Sequence, residues 1–410
     1  MNRIKDIPEP ASHPRTASVS AQPLSGVRVV DFGHTVMGPC CAMMLGDLGA
    51  EIIKIEPVPA GDPTRHLRGF GTGYFGYFNR NKSSIAINLK SSAGHEAASR
   101  LLATTDVLIE NFGPGTMDRL KLSYEHVRAI NPRLIYCELK GFMQGPYEHR
   151  PALDEVVQMM SGLAYMTGPV GQPLRAGTSV VDIVGGMFGM LGVLLALRER
   201  DHTGLGKHVK STLYESAVFL MGQHLCYASQ VEDNIPPMPA RTSAWSIYDV
   251  FATQDGNDLF IGITSDKQWT RFCAEFGLQT LLERTDLDTN NARIEARSWL
   301  LPEISGVVRA LPRDEAMRRL ERAMVPFAPV NRPEDLFHDP HLAATASLLE
   351  STLPNGARIR TPRLPLRYGA WESELRAEPP AVGNATRRIL SDLGYDADEI
   401  EQMRRNRDVC

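Results

Sequence analysis

A carboxylate set in apolar sequence is the first residue that asks for a chemical explanation. Asp182 stands between Ser179-Val180-Val181 and Ile183-Val184-Gly185-Gly186, at the head of a long apolar run. Burying a carboxylate without a partner costs several kcal/mol. A helix N-terminus offers a partner, because its free N–H groups and its dipole favour an anion. Two roles are then open. Asp182 can be an N-cap, worth about 1 kcal/mol and chemically idle, and on local sequence this is the commoner outcome. It can also be a nucleophile for acyl transfer, with the two following glycines letting a substrate approach the backbone. Asp154, in PALDEVVQMM, opens another helical pattern. N-capping is again the simpler role there, and support of a nearby site the alternative.

Other segments suit an anionic ligand. The turn Asp31–Pro39 (DFGHTVMGP) carries two glycines but not GxGxxG, so it gives no ground for NAD or FAD. It can cradle a nucleotide phosphate on the following helix, or be no more than a tight turn. Asn79–Lys82 (NRNK), Lys90 and Glu110–Arg119 (ENFGPGTMDR) bring cations and a Gly-Pro-Gly loop to successive strand ends. Gathered in one crevice they would suit a phosphorylated ligand; singly, each cation would be a solvated surface residue. The histidines, among them His34, His149, His208 and His224, show no HxxxH or HExxH spacing, and no CxxC occurs, so no metal site is expected. The absence of GxSxG argues against a serine hydrolase. Cys40-Cys41 lies in the first helical pattern, where core packing is its commoner role.

The elements that must position these residues alternate. Gly26–Phe32, Glu51–Ile55, Ser84–Leu89, Asp106–Glu110 and Leu134–Leu139 read as strands, with helical patterns after the first and over His95–Ala103 and Tyr124–Ile130. Such alternation predicts an open parallel α/β sheet with helices on both faces. From Asp154 to about Gln230 the period is helical. Asn234–Thr242 (NIPPMPART) reads as a linker, and Ser246–Ala252 with Leu259–Thr264 as a hairpin. Helices over Gln268–Phe276 and Asp314–Ala323 then give a small α+β domain at about 235–330. The large domain covers 23–230, and 331–410, ending in a polar helical region at Ala385–Asn406, returns to it. Residues 1–22, with Asp6, Glu9 and three prolines, read as a disordered lead-in and not as a signal or transit peptide.

Composition narrows the function classes. The 410 residues carry a formal net charge of −4, which gives no bias toward nucleic acid. The run Ile183–Leu197 is 15 residues with four glycines, short of the roughly 20 a bilayer span needs, so a buried helix and no membrane are expected. Six irregularly spaced cysteines fit reduced thiols in a cytoplasm.

In this order and spacing, PLSGVRVVDF, MLGDLGAEIIKIEP, NRNKSSIAINLK, DVLIENFGPGTMDRL, NPRLIYCELKGF, TGLGKHVKSTLYES and the VVD–VGG stretch resemble the family III CoA-transferases. That group holds formyl-CoA transferase, carnitine CoA-transferase and 2-methylacyl-CoA racemase, and the resemblance runs from about Pro23 to the C-terminus. It implies a Rossmann-like large domain, a small domain on two linkers, and two subunits interlocked like chain links. It also implies ping-pong chemistry on Asp182 through an aspartyl mixed anhydride and an aspartyl-CoA thioester. CoA contacts of the family map onto Thr35, Val36, Ile87, Asn88, Leu89, Lys90, Asn111, Phe112, Gly113 and Arg119, and a segment near the site onto Pro151–Asp154. CoA and acyl-CoA are substrates, and no cofactor is expected.

Departures from the family pattern refine the expectation. Val36 and Pro57 replace a Gln and an Arg of formyl-CoA transferases, and Met238–Trp245 stands where the oxalate enzymes carry a Gly-rich loop. Leu153 takes the place of the racemase His, which removes a second acid/base group. The expected reaction moves CoA from a short acyl-CoA such as succinyl-CoA to a dicarboxylic or aromatic acid, benzylsuccinate for example. Arg175 and Arg241 are candidates for a second carboxylate, although surface solvation is the commoner role of each. The alternatives are a 2-methylacyl-CoA racemase or isomerase, and a non-catalytic subunit. The expected assembly is a homodimer or a hetero-oligomer with a paralogous chain.

Overall fold

The computed structural model describes residues 22–232, 234–241 and 243–410, so the expected lead-in lies outside the described residues except for Gln22. The chain divides into two units. One ends at Asn234 and resumes over Ala346–Cys410; the other is Ile235–Thr345.

In the first unit six parallel strands are ordered β3-β2-β1-β4-β5-β6: β1 Arg28–Asp31, β2 Glu51–Glu56, β3 Lys82–Ala86, β4 Val107–Glu110, β5 Ile135–Lys140 and β6 His208–Thr212. Alternate strand residues serve opposite cores. Val29, Ile52 and Ile109 pack with the helices Met37–Asp47 and Val180–Thr203, whereas Val30, Ile53 and Leu108 pack with Ser92–Ala103 and Tyr124–Ile130. Both faces are covered, which is why these strands read as continuous apolar runs. The C-terminal helices Thr386–Asp392 and Ala397–Arg405 join the second of these cores through Ile389, Leu390, Ile400 and Met403.

Three expectations are corrected here. The stretch read as helical throughout contains β6, which pairs Tyr136 with His208; HVKST is a short polar edge strand with no apolar run to announce it. The helix Val180–Thr203, read as buried, is buried on one face only, and Met187, Leu191 and Leu195 on the other are 48%, 47% and 61% exposed. Its glycines face protein, not substrate. A Cβ on Gly186 would lie 2.9 Å from the Met37 carbonyl and one on Gly189 2.7 Å from Leu139, so these glycines let the helix lie against its neighbours.

The NRNK segment is also not a ligand-facing basic patch. Asn79, Arg80, Asn81 and Lys82 are all buried. Arg80 pairs with Asp47 at 2.6 Å and Lys82 with Asp31 at 2.8 Å, while Lys54 pairs with Asp62 at 2.9 Å. Buried acids need these cations as partners. Burial pulls the Lys82 ammonium below the usual lysine range, against the opposing charge of Asp31.

The second unit holds the expected hairpin, β7 Ile247–Ala252 and β8 Asp258–Ile263, with β9 Phe327–Pro329 added antiparallel. The helices Asp266–Phe276 and Arg313–Ala323 were legible; Arg297–Arg309 was not, because Pro302 sits inside it and proline reads as a helix breaker. The unit continues to Thr345, beyond the boundary expected at 330.

Arg80→Ala is predicted to lower the unfolding free energy by about 3–5 kcal/mol in a urea titration, because it strands the buried Asp47 carboxylate. Adding Asp47→Asn should recover part of that loss.

Candidate active site

Strand order reverses between β1 and β4, and in open α/β sheets the crevice at that point, outside the carboxyl ends of the strands, takes the ligand. Three strand exits are tied together there. After β1, the Asp31 carboxylate accepts from the Gly33 N–H at 2.7 Å and Lys54 Nζ donates to the Gly33 carbonyl at 2.6 Å. Gly33 and Gly38 touch, since a Cβ on Gly33 would stand 2.8 Å from Gly38 Cα. Thr35 between them is left-handed with φ 64°. After β4, the Asn111 amide brackets His34, accepting from its N–H at 2.9 Å and donating to its carbonyl at 3.0 Å. At the end of β5, Lys140 donates to both Glu110 oxygens, at 2.6 and 2.8 Å, and to the Phe112 carbonyl at 2.8 Å.

Against these turns lies a cavity of about 290 Å³. Asp182 lines it, half-buried. Asp182 is not an N-cap: Ser179 holds that position and Asp182 is the third helical residue. The capping carboxylate comes from Asp154, whose Oδ2 accepts from the Val181 and Asp182 N–H groups at 2.8 and 3.1 Å. Asp154 therefore does not cap its own helix, Asp154–Met160, but the helix that carries Asp182. Gln158 fixes it, donating to Asp154 Oδ1 while accepting from the Ala176 N–H at 2.9 Å.

No donor among the described residues is bonded to the Asp182 carboxylate. Burial raises its pKa to about 7, the negative charges of Asp154 and Glu155 push in the same direction, and Arg175 opposes them. A carboxylate in that state is more basic than an ordinary aspartate and lacks the hydrogen bonds that would blunt its attack.

The expected site residues divide between two cavities. Thr35, Val36, Asn111, Phe112, Gly113, Leu153 and Asp154 share the Asp182 cavity. Ile87, Asn88, Leu89 and Lys90 line a second cavity of about 310 Å³ with Pro57, and Phe112 borders both. Arg119 lines neither; it is exposed and donates to Thr116 Oγ1 at 2.8 Å. Arg175 is ion-paired with Glu155. Arg241 belongs to the other unit and donates to the Met238 carbonyl at 2.6 Å. Sequence reasoning passed over His34, Lys140 and Arg150, all in the Asp182 cavity. His34 sits in the quoted β1 turn and Lys140 at the end of a predicted strand, so the switch-point rule could have found both. Burial holds the His34 imidazole below its usual range. Cys40 is buried, with its thiol pushed up to about 12, chiefly by burial.

The Asp182 shift has a stability consequence. Unfolding releases a proton that the folded chain keeps between the ordinary aspartate pKa and about 7, so the group's contribution falls as pH rises through that window. Asp182→Asn is predicted to stabilise the protein by about 2 kcal/mol in urea melts near pH 8, with the gain shrinking towards about pH 4.

A family model described as CoA-transferase family III matches residues 24–386. Succinyl-CoA:glutarate CoA-transferase of Mus musculus is 32% identical over 404 residues, covering 95% of this chain and 91% of the relative. The alpha subunit of succinyl-CoA–L-malate CoA-transferase from Chloroflexus aurantiacus is 32% identical over 411 residues, covering 96% and 95%. The crystal structure of a CAIB/BAIF family protein from Brucella suis superposes with a TM-score of 0.82 at 29% identity, covering 91% of this chain and all of that one. From this sequence match and shared fold, the chain belongs to CoA-transferase family III.

Proposed function

We propose that this CoA-transferase moves CoA from a short acyl-CoA, with succinyl-CoA as the donor, to a dicarboxylic or aromatic acid, using Asp182 as the nucleophile. The observation that carries this reading is a carboxylate with no bonded donor among the described residues, raised to a pKa of about 7, in a cavity walled by the β1 and β4 turns. Asp182 attacks the thioester carbonyl, the C–S bond breaks, and a mixed anhydride and CoA thiolate result. The thiolate attacks the aspartyl carbonyl and expels the donor acid, leaving an aspartyl-CoA thioester. The acceptor carboxylate then displaces the thiolate, which returns to the acceptor carbonyl and frees Asp182. Each intermediate keeps an acyl group activated, so no nucleotide hydrolysis is needed.

In this reading Thr35, Val36 and Asn111 to Gly113 flank the thioester. Ile87 to Lys90 take the more distant part of CoA, with exposed Lys90 available to a phosphate. Two named relatives use succinyl-CoA with dicarboxylic partners, which supports the donor and the acceptor class. Asp154 serves as a positioning residue.

A racemase needs a second acid/base group. Leu153 stands at the expected position, and His34, which shares the cavity, has its Nδ1 within 3.0 Å of Thr35 Oγ1. A purely supporting subunit would have no use for the Asp182 arrangement. A second chain is nevertheless part of the proposal, as a like copy or a paralogue. Beside Met187, Leu191 and Leu195, the helices Leu213–Leu220 and Gly222–Ala228 expose Phe219 at 70% and Leu225 at 52%. Apolar surface of that extent marks an interaction face.

The test is transfer from succinyl-CoA to a panel of acids by the purified chain, with new CoA esters detected by mass spectrometry. Asp182→Ala is predicted to reduce transfer by about a thousandfold or more while CoA still binds. Near-normal turnover in that variant rejects the mechanism, and deuterium uptake from heavy water into a 2-methylacyl-CoA would identify a racemase instead.

A further inference from the structure

Arg150 is the one guanidinium that lines the Asp182 cavity among the described residues. Its surroundings separate it from Lys140 and Arg175. Lys140 is bonded to Glu110 and Phe112; Arg175 is paired with Glu155. Arg150 has no carboxylate partner among the described residues. Its guanidinium lies over the Tyr147 ring, 4.9 Å from the centroid. Tyr147 is itself held edge-on to buried Phe142, with centroids 5.6 Å apart. A planar fork laid on a fixed aromatic face is pre-organised for a carboxylate and keeps its in-plane donors free.

The rest of the cavity explains why such a cation is needed. Asp154 and Glu148 both line it, so an acid entering to meet the aspartyl-CoA thioester faces negative charge. A monocarboxylic substrate brings one anion, which is consumed in the reaction. A dicarboxylic substrate brings a second, which stays charged throughout and must be neutralised.

On the reading that Asp182 carries CoA transfer, we propose that Arg150 determines specificity for dicarboxylic substrates by pairing with the carboxylate that does not react. In ping-pong kinetics the acceptor's kcat/KM is independent of the donor half-reaction, so the acceptor can be examined alone. The experiment compares glutarate with valerate, which has the same chain length and one carboxylate, using succinyl-CoA as donor. Valerate is read as an acceptor or as a competitive inhibitor of the glutarate reaction. Arg150→Gln is predicted to lower the preference for glutarate over valerate by about ten- to a hundredfold, with Arg150→Lys intermediate. An unchanged preference overturns the proposal, whether or not overall activity falls. An equal loss for both acids together with weaker binding of free CoA assigns Arg150 to CoA instead. A wild-type chain that transfers CoA to no acid overturns the Asp182 reading itself, a result distinct from either Arg150 outcome.

Discussion

Two carboxylates compete for one helix end, and the outcome decides what each can do. The N-terminus of Val180–Thr203 offers its N–H groups to whichever anion reaches them. Asp154 reaches them, bonding those of Val181 and Asp182 at 2.8 and 3.1 Å. It is 4% exposed and braced by Gln158, so it behaves as fixed structure. Asp182 sits beside the same helix end with none of those bonds. It keeps its burial penalty and gains a negative neighbour, and both raise its proton affinity. The proton affinity of one acid is thus set by its burial and by the saturation of the other.

Position depends on a second set of buried charges. Asp31, Lys54 and Lys82 fix the turn after β1, and Glu110 with Lys140 fixes the turn after β4. Asn111 links the two turns across the switch point. Buried ion pairs are a poor source of net stability but are costly to leave half-made. That makes them suited to holding backbone in one arrangement, here with a left-handed threonine and two touching glycines. Burial raises the proton affinity of Glu110, which Lys140 opposes.

The sequence revealed the large-unit architecture because its central strands are apolar on both faces and its helices follow at regular intervals. It drew attention to Asp182 because a carboxylate in an apolar run needs a reason. What it hid is instructive. β6 is a polar edge strand, so periodicity passed over it. Arg80 and Lys82 looked like ligand cations, since nothing in NRNK reveals that Asp47 and Asp31 wait in the core. Asp154 was read within its own helix, although its carboxylate serves a helix 27 positions further on. Tertiary pairing of this kind leaves no local spacing to read. Arg150 fell in a loop of ordinary composition, and only the fold shows that it lines the same cavity as Asp182.

The most direct measurement of the central claim follows an oxygen atom. Turnover with an acceptor acid labelled with heavy oxygen in its carboxylate, followed by digestion and peptide mass spectrometry, reports whether Asp182 enters covalent chemistry. If the acceptor attacks an aspartyl-CoA thioester and the thiolate then strikes the acceptor carbonyl, one heavy oxygen is left on Asp182 and on no other residue. Product formed at the normal rate with the Asp182 peptide unlabelled would mean that CoA passes directly between the two acids, and the nucleophilic role would be wrong.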